Sequence, residues 1–396
     1  MQKNWKRILF NITLDLVLAG IALCVFALFH HVLPREQESV GIVIARPTAT
    51  ATENAVKAET EETKNSVPAP TDRARPAETA KPEPTESTRK TIDARPESEK
   101  NNYNGSGRGR ARTRQSTGTN EKGGSALSGV SGDIETATDS VPMSEKFADK
   151  YTDTVTETAN SYTSPNVSVT VTQETTSDGR CTYYLADIYL KDITSLRAAL
   201  ANDTYGSGYR AEITDMAVLN NALLAVNGDY YGNTTEGVVI RNGVIYRAND
   251  TDCDVCVIYY DGTMRVIPGS DFSVEDAIED GAWQAWTFGP ALLDSDGNAI
   301  ERFDSTRRLV SANPRTAIGY YETGHYCLVV VDGRGESEGM TMQELSQLFA
   351  SLGCTAAYNL DGGNSSVMVW NGMVVNEPSG GGRASSDAIL ITEVTE

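Results

Sequence analysis

Four loops of the sequence carry more polar and charged side chains than a chain reversal needs. They are NGDYY (227–231), NPRT (313–316), DGRG (332–335) and DGGNSS (361–366), and we call the last one the Asp361 corner. Glycines let backbone N–H groups approach an anion closely, and arginine binds phosphate through a bidentate fork. One such loop alone is more typical of a simple turn. Together the four loops favour a binding site for a phosphorylated sugar over one for a neutral glycan.

The carboxylates of these loops are the candidates for acid, base or nucleophile. We expect Asp361 to fill that role first, with Asp332 and Asp229 behind it. A carboxylate beside a sugar's anomeric carbon stabilises an oxocarbenium-like transition state or directs a water molecule. Arg315 and Arg334, together with the amides of the two glycines in the Asp361 corner, are candidates for neutralising a developing phosphate charge.

Each loop adjoins an apolar segment that predicts a strand, so the pairing of strands decides whether the loops meet. Alternating segments such as NVSVTVTQ (166–173) are typical of half-buried strands. Hairpin turns are predicted where a glycine follows a turn-forming residue between two such segments. These turns are at 242–243, 261–262, 323–324 and 371–372.

Helices are fewer in this part of the chain. In TMQELSQLFASLGC, Thr341 and Glu344 form a capping box and Gly353 occupies the position of a C-terminal stop. ITSLRAALAND (193–203) predicts a further short helix. We therefore expect residues 161–396 to form one α+β domain, an antiparallel-rich mixed sheet with a few flanking helices.

The N-terminal 33 residues predict a single transmembrane helix. Residues 16–29 contain no charged side chain, and basic residues precede the apolar segment, at Lys3, Lys6 and Arg7. The positive-inside rule then predicts a cytoplasmic N-terminus and an extracellular C-terminal domain, so the chain would be a single-pass protein of the cell membrane. The alternative is a cleaved signal peptide, although no A-x-A site directly follows the apolar core.

Residues 34–160 predict a disordered stalk between the membrane and the domain. The segment is rich in Thr, Glu, Ala, Pro and Ser, with few aromatic residues before about residue 150. Such a composition cannot bury enough apolar surface to offset the entropy of ordering.

Charge and cysteine content exclude several classes of protein. A net charge of −20 argues against a general nucleic-acid binder. Cys253 and Cys256 have C-x-x-C spacing, but they stand in a predicted strand, where such residues point to opposite faces, so packing is favoured over a metal site. DSDGN (294–298) resembles a calcium loop only weakly, since Ser305 stands where a bidentate Glu is expected. We predict no cofactor and no metal ligands, and a divalent cation is kept as an alternative.

Seven motifs occur in an order and spacing that resembles the phosphodiester glycosidase family. They are VNGDYYG, FGPALL, NPRTAIG, VVDGR, GMTMQELSQLFASLGC, NLDGGNSSVMVWNG and NEPS followed by an arginine. The resemblance extends over residues 193–394. It implies hydrolysis of the bond between a sugar's anomeric carbon and a phosphodiester, in bacteria commonly in the metabolism of exopolysaccharide or cell-wall polymers. The chain departs from the family pattern at Asp229 and Asn364, where small residues are usual.

The resemblance also implies roles for individual residues. It implies catalysis by Asp361, Asp332 and Asp229, and substrate binding by Asn227, Arg315, Arg334, Gly362, Gly363, Ser365, Ser366 and Arg383.

These observations predict a membrane-anchored extracellular hydrolase acting on a phosphorylated glycan or cell-wall polymer, with no nucleic-acid partner. One alternative is a non-catalytic glycan-binding or cell-wall scaffold, which the presence of Asp361 and both arginines makes less favoured. The other is a phosphodiesterase that cleaves the P–O bond instead of the C–O bond.

Overall fold

The computed structural model describes residues 2–27, 33–47 and 141–394. Most of the predicted stalk, residues 48–140, lies outside these described residues. The described helices are α1 (Gln2–Ala27), α2 (Ile213–Leu219), α3 (Val274–Glu279), α4 (Arg307–Val310) and α5 (Met342–Leu352).

The prediction of a transmembrane helix is wrong. Among the residues that the structure describes, no helix combines the length and apolar character that a bilayer span requires. The physical reason lies in the bounds of α1, which starts at Gln2 and so includes basic residues and Asp15. Within the described residues, the charge-free part of this helix comprises residues 16–27. At about 1.5 Å per residue that part is roughly 18 Å long, against about 30 Å of hydrocarbon.

Strands are the main regular secondary structure of the described chain after α1. They are β1 (Arg35–Glu36), β2 (Ile42–Val43), β3 (Thr156–Glu157), β4 (Ser161–Thr163), β5 (Val167–Thr175), β6 (Thr182–Leu190), β7 (Leu196–Leu200), β8 (Gly206–Ser207), β9 (Leu224–Asn227), β10 (Val238–Arg241), β11 (Val244–Ala248), β12 (Val255–Tyr259), β13 (Met264–Ile267), β14 (Ala282–Thr287), β15 (Arg315–Glu322), β16 (His325–Val331), β17 (Ala356–Asn359), β18 (Met368–Trp370), β19 (Met373–Val374) and β20 (Asp387–Ile391).

The strands form three larger sheets and one two-stranded sheet. Their orders are β13-β12-β14-β10-β11-β2, β17-β15-β16-β6-β5-β4-β3, β19-β18-β9-β20-β7 and β1-β8. Every strand pair within the described residues is antiparallel, so these sheets are not mixed. The main hydrophobic core takes buried side chains from all three larger sheets, such as Ile188, Trp286 and Ile389.

Local sequence signals account for several of these elements. The predicted hairpins at 242–243, 261–262, 323–324 and 371–372 are confirmed, since each joins two paired strands. The capping box of α5 is confirmed as well: Thr341 accepts from the Glu344 N–H, the Glu344 side chain accepts from the Thr341 N–H, and Gly353 has a left-handed φ of 84°.

The short helix predicted at 193–203 is wrong. Its central residues form β7, which pairs with β20 and places Ala199 opposite Ala388. Leu196 is fully buried in the main core, so burial in a sheet overrides the helical preference of this alanine- and leucine-rich segment.

Both described ends of the predicted stalk contain strands. Near its start, β1 pairs with β8 and β2 pairs with β11, and Ile44 is buried. Near its end, β3 pairs with β4. The sheets of the structure therefore include residues before 161.

Strand register brings the four polar loops to one edge. In the seven-stranded sheet Arg315 lies opposite Val331 and Ala317 lies opposite Asn359, so NPRT, DGRG and the Asp361 corner adjoin the same end of β15. In the five-stranded sheet Asn227 lies opposite Ala388, which places NGDYY beside the start of β20.

Candidate active site

The Asp361 corner is built around two close backbone approaches. A Cβ on Gly362 would lie 2.8 Å from the Pro314 carbonyl oxygen, so only glycine fits there without a shift. Gly363 has a left-handed φ of 68°, which glycine adopts without strain. The Gly363 N–H donates to the Pro314 carbonyl at 2.9 Å, and the Gly362 N–H donates to Asp361 Oδ1 at 2.9 Å. Both amides proposed for a phosphate are therefore engaged within the protein.

Asp361 is a buried carboxylate held by one arginine. Its Oδ2 accepts from Arg383 Nη2 at 2.7 Å, and the residue is 7 % exposed. Arg383 Nε donates to Ser365 Oγ at 2.9 Å, which ties the three side chains together. Burial raises the pKa of the Asp361 carboxyl, against the opposing effects of the Ser365 hydrogen bond and the Arg383 charge. The carboxylate is thus more basic than an ordinary aspartate.

Tyr230 supports Arg383 from the NGDYY loop. The Arg383 guanidinium carbon lies 4.7 Å from the centre of the Tyr230 ring, and that of Arg210 lies 5.2 Å from it. Such cation–π contacts fix the direction of a half-exposed guanidinium. Tyr230 and Arg210 were not predicted as site residues, and the only sequence signal was the aromatic pair after Asp229.

Arg315 is buried behind the corner and binds main-chain carbonyls. Its Nε donates to Met340 at 2.9 Å, and its Nη2 donates to Leu309 at 2.7 Å and to Ser311 at 2.5 Å. It makes no ion pair with any carboxylate in the described part of the chain. Burial, and then the charge of Arg334, lowers the pKa of Arg315 to about 10. Two guanidinium groups therefore repel each other at this edge.

Arg334 is the exposed member of that arginine pair. Its Nη1 donates to Asn364 Oδ1 and its Nη2 to Asn313 Oδ1, both at 2.9 Å. A Cβ on Gly363 would lie 3.1 Å from Arg334 Nη2, so the guanidinium packs directly on the Asp361 corner.

Asp332 is buried and organises a neighbouring segment. Its Oδ1 accepts from Asn376 Nδ2 at 2.8 Å and from the Glu377 N–H at 3.1 Å. Asn376 Nδ2 also donates to the Ser366 carbonyl at 3.1 Å, so Asp332 reaches the Asp361 corner through Asn376. Ser366 Oγ is buried and has no hydrogen-bond partner among the described residues.

Asp229 lies in a separate buried cluster of charges. Arg241 Nη2 donates at 2.8 Å to Asp229 Oδ1 and at 2.8 Å to Asp387 Oδ2. Burial, the largest cause, raises the pKa of Asp387 to about 7, and the nearby Asp229 adds to the effect while Arg241 opposes it. Sequence reasoning missed Arg241 and Asp387, because each stands in a strand with no motif around it.

Asn227 and Gly228 connect the two clusters. Asn227 is fully buried; its Nδ2 donates to the Asp361 carbonyl at 2.7 Å and its Oδ1 accepts from Thr316 at 2.7 Å. The Asp361 N–H donates to the Gly228 carbonyl at 3.3 Å, and the Gly228 N–H donates to the Asp387 carbonyl at 3.0 Å. Asn227 therefore supports the corner from behind instead of facing a ligand.

The structure thus brings together most of the predicted residues, with different degrees of access. Exposed or half-exposed groups at the edge are Arg334 and Arg383, beside the buried carboxylate of Asp361. Within the described residues no group of three or more His, Cys, Asp or Glu side chains is placed to hold a metal ion. In DSDGN, Asp294 Oδ1 accepts from the N–H groups of Asp296 and Asn298, as in an ordinary polar turn.

Comparisons with known proteins agree with the family resemblance. Residues 220–392 match the family model described as phosphodiester glycosidase. A prophage-derived uncharacterized protein, YomE, of Bacillus subtilis is 31% identical over 196 residues, covering 48% of this chain and 30% of that protein. Mouse N-acetylglucosamine-1-phosphodiester alpha-N-acetylglucosaminidase is 35% identical over 188 residues, covering 43% of this chain and 36% of that protein.

Among solved structures, the zebrafish catalytic domain of that glucosaminidase, auto-inhibited by its pro-peptide, is 22% identical with a TM-score of 0.47. The match covers 58% of this chain and 83% of that one. The chain spans about a third of the length of the curated relatives described above. Residues 220–392 of this chain are therefore similar to the phosphodiester glycosidase family.

Proposed function

We propose that this protein hydrolyses the glycosidic bond of a sugar-1-phosphodiester. The family supports a glycosidase-type function, and the substrate and the reaction are our proposal. The observation that carries it is the buried Asp361 carboxylate, held by Arg383 beside a pair of arginines that no described carboxylate neutralises. A carboxylate next to concentrated positive charge suits a sugar ring with a phosphate on its anomeric carbon.

The proposed reaction breaks one C–O bond and forms another. The oxygen of a water molecule bonds to the anomeric carbon while the bond from that carbon to the phosphate oxygen breaks. The electron pair of the broken bond leaves on the phosphate, which becomes a monoester, and one proton of the water is transferred to Asp361. A phosphate leaving group is stable as an anion, so the reaction needs less help from a general acid than ordinary glycoside hydrolysis.

Asp361 is the proposed base. A general base works best when its pKa is near the working pH, and burial raises the pKa of Asp361 in that direction. Its Oδ2 is held by Arg383, and its Oδ1 by the Gly362 N–H, so the carboxylate is fixed before substrate binds. Fixed donors and charges of this kind need no reorganisation during the reaction.

Arg334 is the proposed contact to the phosphate, and Arg315 acts at longer range. Arg334 is exposed and makes no ion pair with a described carboxylate, whereas Arg315 is buried and uses its donors on carbonyls. The charge of Arg315 still adds to the positive field in which the leaving phosphate develops.

These contacts and the relatives support the substrate class that we propose. The name of the mouse relative supports a sugar-1-phosphodiester as the substrate. We propose exopolysaccharide or cell-wall polymer as its natural source and an extracellular location for the domain. The net charge of −20 makes a nucleic acid an unfavourable phosphodiester partner.

Hydrolysis in ¹⁸O-labelled water tests the proposal. The full chain is incubated with a panel of sugar-1-phosphodiesters and the products are analysed by mass spectrometry. Label in the sugar supports cleavage of the C–O bond. Label in the phosphate would identify a P–O-cleaving phosphodiesterase, and absence of turnover with measurable binding would identify a glycan-binding scaffold.

A further inference from the structure

Arg334 is held in place by three independent constraints. Two amide oxygens, Asn364 Oδ1 and Asn313 Oδ1, accept from its two terminal nitrogens at 2.9 Å each. Gly363 has no side chain, and a Cβ at its position would lie 3.1 Å from Arg334 Nη2, so the glycine leaves room for the guanidinium. The Arg334 backbone has a φ of 63°, a left-handed conformation that a non-glycine residue seldom adopts. Such outliers concentrate at binding sites.

The orientation of Asn313 is fixed by its other contacts. Its Nδ2 donates to the carbonyls of Arg308 and Ser311 at 3.0 Å each. The amide nitrogen must therefore point away from Arg334, which leaves only the oxygen to face the guanidinium.

The hydrogen-bond partners of Arg334 are neutral, unlike those of two other exposed arginines. Arg180 pairs with Asp178, Glu338 and Glu344, and Arg265 pairs with Asp280. Within the described residues, Arg334 makes no such ion pair. Amide oxygens satisfy and direct its donors but leave its positive charge in place, beside the second positive charge of Arg315.

We propose that Asn313 and Asn364 are positioning residues that hold Arg334 as an un-neutralised cation and so make the site selective for a substrate with an anionic phosphodiester. The inference deepens the proposed function and rests on it for the identity of the substrate. A guanidinium has five N–H groups, and the two amides use two of them, so donors remain for phosphate oxygens. A carboxylate in either amide position would instead compete with the substrate for the same charge.

Asn364→Asp is the decisive variant. In the described residues Asn364 Nδ2 donates no hydrogen bond, so aspartate loses no donor contact there, whereas Asn313→Asp would lose two. Asn364→Ala removes the positioning contact without adding charge. Asn166→Asp is the matched control, because Asn166 lies at the other end of the sheet from the site. Asn166 precedes Val167 of β5, which pairs with Leu190 at the end of β6. Tyr183, at the start of β6, pairs with Val331, which directly precedes the DGRG loop.

The first measurement is the affinity of the full chain for dimethyl phosphate and for inorganic phosphate. These affinities are measured by NMR titration at several salt concentrations. We expect the wild type to bind most tightly, Asn364→Ala more weakly, and Asn364→Asp at least about tenfold more weakly than the wild type, the scale of one charge-assisted hydrogen bond. The salt dependence should be shallower for Asn364→Asp, and Asn166→Asp should bind like the wild type. A purely structural role would lower the thermal midpoint of both Asn364 variants without this order of affinities.

Equal binding of the probes by wild type and Asn364→Asp, or no measurable binding by the wild type, would overturn the inference. The proposed function has a separate outcome. If the wild type binds the probes in the expected order but turns over no sugar-1-phosphodiester, the proposed reaction fails while the positioning of Arg334 stands. If turnover is found, kcat/KM should fall in the same order as probe affinity.

Discussion

Asp361 and Arg383 form an ion pair, with 2.7 Å between Oδ2 and Nη2, that joins the corner after β17 to the segment just before β20. The pair connects a buried carboxylate with a guanidinium whose side chain is 40% exposed. Because the arginine also contacts Ser365 and lies over Tyr230, the carboxylate is fixed from the side that faces solvent. This is the arrangement expected of a base that must stay in position while water and substrate exchange.

We predict that Asp361→Asn lowers turnover of a sugar-1-phosphodiester by about 10² or more, the scale of lost acid–base help. Asparagine retains an oxygen for the Gly362 N–H but lacks the charge that Arg383 pairs with. The matched control is Asp261→Asn, at a hairpin tip where Asp261 accepts from the Thr263 N–H. Normal turnover by Asp361→Asn, measured with its thermal midpoint, would remove Asp361 from the reaction.

We predict that Arg315→Lys acts on stability more than on substrate contact. The lysine ammonium lacks the fork that reaches the carbonyls of Leu309, Ser311 and Met340 together. Loss of these bonds should cost about 2–3 kcal/mol, or a fall of about 5–10 °C in Tm for a domain of this size. Arg265→Lys is the exposed control and should leave Tm within about 1 °C. An unchanged Tm for Arg315→Lys, with a large rise in KM, would instead indicate direct contact with substrate.

We predict that titration of the Asp387 carboxyl lowers the free energy of unfolding as pH rises from about 4 to 7. Its pKa is raised to about 7 in the fold, so the folded state holds a proton that the unfolded state has already lost over this range. Stability from this group is therefore fully present below its unfolded pKa and is lost as pH approaches 7. Thermal midpoints of wild type and Asp387→Asn across this range provide the measurement, and parallel profiles would contradict the assignment.

We predict that Gly228→Ala is strongly destabilising. A Cβ at this position would lie 2.2 Å from Asp387 Oδ2, inside a cluster that is fully buried. Relief of the clash requires a shift of the Asp387 ion pair, with an expected cost of about 3 kcal/mol or loss of folding. Gly335→Ala is the control for stability, because nothing lies within 4 Å of its Cβ position. A change of less than about 0.5 kcal/mol on urea denaturation of Gly228→Ala would show that the ion pair adapts freely.

Local sequence determined the hairpins, the ends of α5 and the set of polar residues in the four loops. Asn242-Gly243 adopts the left-handed conformations that a tight hairpin requires, and the Thr341–Glu344 box forms within one helical turn. Such features depend on residues close together in sequence, so they can be predicted without knowledge of the fold.

Tertiary structure alone decided which of those polar residues are accessible to solvent and which are bound to other groups of the protein. Asp229 faces Arg241 and Asp387 because β10 and β20 bring them together, and no local pattern marks either partner. The amides of Gly362 and Gly363 are used inside the corner because the Pro314 segment passes within hydrogen-bond distance. Long-range pairing with β20 likewise explains why the segment predicted as a helix at 193–203 contains β7. The sequence determined which chemical groups the edge contains, whereas strand register and burial decided that Arg334 and Arg383 face solvent beside Asp361.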